Sequence, residues 1–275
     1  MIVLATLLIS LLFAGEVFAA KASVLIDLDP ASAGQTVIVE SVAADSKGAL
    51  YTCDRVTGNV LRIDPKNPKA VVVGRVEERE VGGKKVRANV SGIVFNKMDD
   101  LYLTAGGFNE ILRLPGRELM ADRAGIAQTF ATSTEGANGI AFDAKGVLYV
   151  SGGRNGKIYS IPPNGGPAET WAQIELHTRK LPDGKTEQAI PANGLVFDKS
   201  GMMLYVADTA RGAIWKIAVG ADGKAGKPSL LAQSALLEGA DGPDFAASGF
   251  LKWSSPSAAP ATCYARAGSC RSLIV

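Results

Sequence analysis

From about residue 37 to residue 250 the chain alternates short apolar runs with clusters of Gly, Asp and Asn. The pattern is clearest around residue 150. Asn138-Gly-Ile-Ala-Phe-Asp143 leads through a turn at Ala144-Lys145-Gly146 to Val147-Leu-Tyr-Val150. A second turn at Arg154-Asn155-Gly156 leads on to Lys157-Ile-Tyr-Ser-Ile161. Runs of this length, rich in β-branched and aromatic residues and bounded by turn formers, predict antiparallel strands. The same order recurs as Ala49–Thr52 and Val60–Ile63, as Asp100–Leu103 and Glu110–Leu114, and as Met203–Ala207 and Ala213–Ile217. Val71–Val76 and Gln128–Thr132 are expected to supply outer strands, and the charged stretch Glu77–Arg87 a solvated hairpin or loop.

The run that opens each repeat carries a column of polar residues. Glu40, Ser91, Asn138, Asn193 and Asp241 align without gaps, at separations of 51, 47, 55 and 48 residues. A period of this size built from short strands predicts an all-β propeller, whose blades bury their faces only against their neighbours. Equivalent inner strands begin around the central axis. The column therefore brings Glu40, Asn138, Asn193 and Asp241 to one mouth of a channel, where hard oxygen donors suit a hard cation. Asn and Asp before Gly are also common turn formers, so each residue taken singly reads equally well as turn chemistry. Ser91 is expected to be inert, and Asp143, Asp198 and Asp208 to brace turns. The Tyr in each middle strand (Tyr51, Tyr102, Tyr149, Tyr205) is expected to pack between blades.

Composition narrows the picture. With 29 basic and 27 acidic residues the net charge is +2, which gives no reason to expect nucleic acid or an acidic membrane surface as partner. Ile2–Phe13 is almost wholly apolar and Val17-Phe18-Ala19 suits cleavage. Residues 1–19 thus read as a signal peptide for the periplasm or for secretion, with no stable membrane span after its removal. The propeller is expected over 23–250, with Val24–Leu28 as a closing strand. Residues 251–275 contain no acidic residue and read as an atypical, disordered tail foreign to the fold. Cys53 reads as a small buried hydrophobe, and Cys263 and Cys270 fall in the tail. The sole histidine, His177, lies in a polar insertion (Ile174–Ile190) and reads as a surface residue, while the insertion itself reads as a loop over the channel mouth. No GxSxG elbow and no phosphate-cradling loop occurs.

The Glu40 segment, Asn138-Gly, Pro191-Ala-Asn193-Gly-Leu, Leu204-Tyr-Val-Ala-Asp208 and Asp241-Gly-Pro resemble the senescence marker protein/gluconolactonase family, over roughly Val37–Phe250. The resemblance implies a six-bladed propeller, here with its last blade or blades incomplete, that hydrolyses small lactones. It implies a divalent cation held by Glu40, Asn193 and Asp241, with Asn138 on the substrate and Asp241 also taking a proton from the attacking water. Calcium is the first expectation, with magnesium, manganese or zinc as alternatives. The chain departs from the family at Gly136, where an Arg often contacts substrate. Strictosidine synthase-like proteins and NHL-repeat proteins share the strand grammar. A non-catalytic ligand- or protein-binding propeller, strictosidine synthase-like chemistry and an inactive truncated product therefore stand as alternatives.

Overall fold

The computed structural model describes residues 24–28, 36–180, 183–237 and 239–245, and the backbone at 251–253, 262–266 and 269–274. Five four-stranded antiparallel blades follow one another along the chain, and the fold is a β-propeller. Blade one comprises Val42–Ala44, Leu50–Cys53, Asn59–Asp64 and Asn67–Arg75. Blade two comprises Ile93–Phe95, Leu101–Ala105, Glu110–Leu114 and Gln128–Thr132. Blade three comprises Ile140–Phe142, Leu148–Ser151, Lys157–Ile161 and Glu169–Gln173. Blade four comprises Leu195–Phe197, Met203–Asp208, Ala213–Ala218 and Ser229–Gln233. The fifth sheet joins Pro243–Phe245 to Leu251–Trp253, Thr262–Arg266 and Ser269–Ile274, so its last three strands come from the stretch read as a tail. Val24–Leu28, expected to close the ring against the last blade, forms no strand. The fourth place in the fifth sheet is taken by Ser269–Ile274 instead. The signal segment lies outside the described residues, and among those described no helix is long and apolar enough to cross a membrane.

The register reproduces the repeat alignment. Ala43, Val94, Ala141 and Val196 of the inner strands stand opposite Tyr51, Tyr102, Tyr149 and Tyr205 of the middle strands. Each of the first three tyrosines then meets the Phe of the next blade's inner strand edge-on. The ring centres are 4.8 Å apart for Tyr51–Phe95, 5.0 Å for Tyr102–Phe142 and 5.0 Å for Tyr149–Phe197. Such pairs contribute about 0.5–1.5 kcal/mol beyond their buried area. They sit in three apolar clusters, between blades one and two, two and three, and three and four. Burial pushes the Tyr149 hydroxyl up to about 12, with Asp143 adding to the shift, in line with a packing role between blades. Burial likewise pushes the Cys53 thiol up to about 12, in line with a small buried hydrophobe.

Outer edges are covered locally. Gly125–Ile126 pairs in parallel with the outer strand of blade one, and Gly166–Pro167 with that of blade two. These two-residue straps occupy edge groups that would otherwise be open to a further strand. Two hairpins interrupt the blade order. Arg79–Val81 pairs with Lys84–Val86 inside the charged stretch, and Thr178–Lys180 pairs with Thr186–Gln188 inside the polar insertion.

Tyr149 is 2% exposed and lies between blades three and four. Replacing it with Ala is expected to cost about 3–5 kcal/mol, as a large buried aromatic truncation does. Tyr149→Phe keeps the ring and should cost far less. Urea denaturation of the two variants checks both.

Candidate functional site

All five polar column residues meet in one place. Glu40, Asn138, Asn193 and Asp241 line a common cavity of about 350 Å³ at the channel mouth, with Ser91 between them. The glycines that follow Ser91, Asn138 and Asn193 are what let the strands come so close. A Cβ on Gly92 would lie 2.4 Å from the Asn138 carbonyl oxygen, one on Gly139 2.7 Å from that of Asn193, and one on Gly194 2.4 Å from that of Asp241. None of these three glycines occupies the left-handed region that a turn would use. The Asn-Gly pairs are therefore contacts between neighbouring inner strands rather than tight turns.

Hydroxyls stitch these strands together. Ser151 accepts from the Gly139 N–H at 2.8 Å and donates to the Asn193 carbonyl of the next blade. Thr104 accepts from the Gly92 N–H at 2.8 Å. The Gly194 N–H donates to the Asp241 carbonyl at 2.8 Å.

Asn193 is 6% exposed and its amide has a determined direction. The Thr209 hydroxyl donates to the Ala240 carbonyl at 2.8 Å, so its oxygen is left to accept, and Asn193 Nδ2 donates to it at 2.8 Å. Asn193 also donates to the Asp241 carboxyl. With its N–H groups so directed, Oδ1 of Asn193 is buried with no hydrogen-bond partner. A buried acceptor left unpaired is costly, and a cation is one group that would satisfy it. The Asp241 carboxyl is raised, chiefly by burial and then by the nearby Glu40 charge, and the Asn193 hydrogen bond partly offsets this. The two carboxylates face across a partly buried cavity, and with the orphaned amide oxygen they make a hard-oxygen set that fits a divalent cation. No three His, Cys, Asp or Glu side chains gather for a metal among the described residues, so this set depends on the Asn193 amide.

Arg55 already answers part of that need, because its guanidinium forms a close ion pair with Glu40. The sequence reading overlooked both Arg55 and Thr209, although a signal was available. Each follows an Asp three residues beyond a middle-strand Tyr, in Tyr51…Asp54-Arg55 and Tyr205…Asp208-Thr209. Blades two and three carry Gly106 and Gly153 at the corresponding place. The residue at this step reaches its own blade's column residue, Arg55 to Glu40 and Thr209 to Asn193.

His177 is not a surface residue. Its side chain is 15% exposed, with Nε2 3.5 Å from Oδ1 of the fully buried Asp208, so the polar insertion is fastened to blade four. Asp208 braces a turn as expected, accepting from the Arg211 N–H at 3.1 Å and from Trp215 Nε1 at 3.2 Å. Asp143 accepts from the Lys145 and Val147 N–H groups at 2.8 and 2.9 Å, and Asp198 from Ser200 at 2.9 Å.

No protein-family model matches the chain, and no curated protein is similar to it in sequence. Solved propellers are similar in fold. A gluconolactonase from Xanthomonas campestris shares 19% identity at a TM-score of 0.54, covering 86% of this chain and 75% of that one. Virginiamycin B lyase from Staphylococcus aureus shares 12% identity at a TM-score of 0.56, covering 86% and 69%. A chain of a nidogen/laminin complex shares 15% identity at a TM-score of 0.62, covering 84% and 76%. At these identities the likeness is one of architecture, and the chain is a propeller of the type that gluconolactonases also adopt.

Two predictions follow from the column. Thr209→Val removes the acceptor for Asn193 Nδ2 and the donor to Ala240, and should cost about 1–3 kcal/mol in urea denaturation. Thr209→Ser should restore most of it. The second concerns pH. Because the Asp241 carboxyl is raised in the fold, the native state holds its proton more tightly than the unfolded chain does. Its contribution to stability is thus fully present below the ordinary aspartate value of 3.8 and is lost as pH rises through the raised value. In metal-free buffer Asp241→Asn should therefore melt higher than wild type at pH 7. That advantage should shrink towards pH 4, as read by calorimetric melting across the range.

Proposed function

We propose that this protein is a metal-dependent hydrolase of a small lactone. The observation that carries the reading is the meeting of Glu40, Asn193 and Asp241 with Asn138 in one cavity, the buried Asn193 oxygen unpartnered among them. Glu40, Asn193 and Asp241 would hold the cation, calcium in the first instance, and magnesium, manganese or zinc otherwise. When bound, it would polarise the lactone carbonyl and stabilise the developing oxyanion. The residues account for the rest. Asn138 offers an amide to a substrate oxygen. Water adds to the carbonyl carbon as Asp241 takes its proton. The ring C–O bond then breaks, and the proton passes to the departing alkoxide to give an open hydroxy acid. With the export signal read at residues 1–19, the proposed place of action is the periplasm or the extracellular space.

One observation favours a second reading, a propeller that binds a ligand or protein without catalysis. Arg55 already neutralises Glu40, and a column balanced by its own guanidinium has less need of a metal.

Titration of the purified protein with calcium, manganese and magnesium, followed by a panel of sugar and simple lactones, separates the two. The hydrolase reading expects cation binding that raises the melting temperature by mass action, and its loss in Asp241→Ala. It also expects cation-dependent hydrolysis, with kcat lower by about 100-fold or more in Asp241→Asn. Absence of both cation binding and hydrolysis gives the site to the binding propeller.

A further inference from the structure

Glu40 lines the column cavity, whereas Arg55 lines a second cavity, of about 450 Å³, that meets the first along Ser91 and Asn138. Their ion pair, from Nη1 of Arg55 to Oε2 of Glu40, therefore bridges the two spaces. Glu40 is the one hydrogen-bonding and ion-pairing partner of this guanidinium among the described residues. The turn that carries Arg55 is held by other groups. The Arg55 N–H donates to the Ile38 carbonyl at 2.8 Å, and the Asp54 carboxylate accepts from the Val56 and Thr57 N–H groups at 2.9 and 3.3 Å. The guanidinium can thus leave Glu40 without disturbing that turn, and the second cavity gives it room. The side chains of Arg55 and Glu40 are 32% and 23% exposed, so water reaches the pair and it is open to exchange.

The charges at this junction do not balance. One guanidinium answers two carboxylates, Glu40 and Asp241, and the buried Oδ1 of Asn193 stays unpartnered. A divalent cation would serve all three oxygens. A guanidinium and a divalent ion on the same carboxylate, however, repel one another at close range. Resting on the cation reading of the column, we infer that Arg55 is a built-in competitor for the cation. The site is either paired, with Arg55 on Glu40, or loaded, with Arg55 withdrawn into the second cavity. Apparent cation affinity is then the intrinsic affinity scaled by the fraction of molecules in which Arg55 has let go. With the pair formed in about nine molecules of ten, the reduction is about tenfold. Arg55 so sets how much free cation the site needs before it fills.

The test is calorimetric titration of the purified protein with calcium alone, in wild type, Arg55→Gln, Arg55→Met and Arg154→Gln, with melting curves alongside. Arg55→Gln should bind calcium about tenfold tighter than wild type, because the paired state is lost. Should Arg55→Gln lack a cooperative melt, Arg55→Met keeps the aliphatic stem and carries the same expectation. Arg154→Gln removes an equal charge from the lining of the same second cavity and should leave calcium affinity within about twofold. An equal gain in Arg154→Gln marks a general field effect and overturns the competition. Calcium binding that is unchanged or weaker in Arg55→Gln and Arg55→Met overturns the competitor and keeps the cation reading. Binding by these variants but not by wild type supports the competitor and counts against the hydrolase reading. Absence of binding in every variant overturns both.

Discussion

Around the axis, the inner strands approach until backbone touches backbone. Gly92, Gly139 and Gly194 are the points of contact, and each would drive a Cβ into the carbonyl of the next blade's column residue. Much else depends on this spacing. It lets Ser151 reach across from blade three to the Asn193 carbonyl, and it lets the Gly194 N–H serve Asp241. It also brings residues some 50 positions apart in sequence to the edge of one small cavity. The tyrosine–phenylalanine contacts further out hold the blades at the angle this approach requires. A sheet-on-sheet stack without them would have no reason to keep a common axis, because each blade contacts only its neighbours.

The same closeness creates an electrostatic debt at the mouth. Glu40 and Asp241 face one another with restricted access to water, and the raised Asp241 carboxyl is the measure of it. The chain answers with Arg55 on Glu40, with the Asn193 amide on Asp241, and with an unpartnered amide oxygen that a cation would satisfy. A site tuned only for stability would have replaced these groups by apolar ones, since buried charge is weak evidence of stabilisation. Two acids and two amides nonetheless share one axis here.

The rim is built differently from the axis. Asp54 and Asp208 cap the turns that leave the middle strands of blades one and four, and the residue after each leans inward. Blades two and three have glycine at that step, so the mouth is furnished on one side and open on the other. The insertion between blades three and four is pinned by His177 against Asp208, which sets its last residue, Ile190, on the open side. The edge of the cavity and its polar floor are thus built by separate parts of the repeat.

The repeat made the fold legible. Strands such as Glu110–Leu114, Gln128–Thr132 and Lys157–Ile161 can be read from alternation and turn residues alone, because a local pattern of period two dictates them. The column was legible for the same reason, since a fixed position in every blade must return to the axis. What the linear order left open was the meaning of Asn-Gly, a turn or an approach between strands, and only the neighbouring blade decides that. The roles of Arg55, Thr209 and His177 were likewise hidden. Each acts on a residue at least 15 positions away, His177 on Asp208 across 31 residues, and residue type alone names no partner at that distance. The sequence by itself determined which groups come to the axis, because repetition places them there. Tertiary structure alone decided which of them are neutralised, which are oriented and which are left unsatisfied, because charge, burial and hydrogen-bond direction are properties of the surroundings.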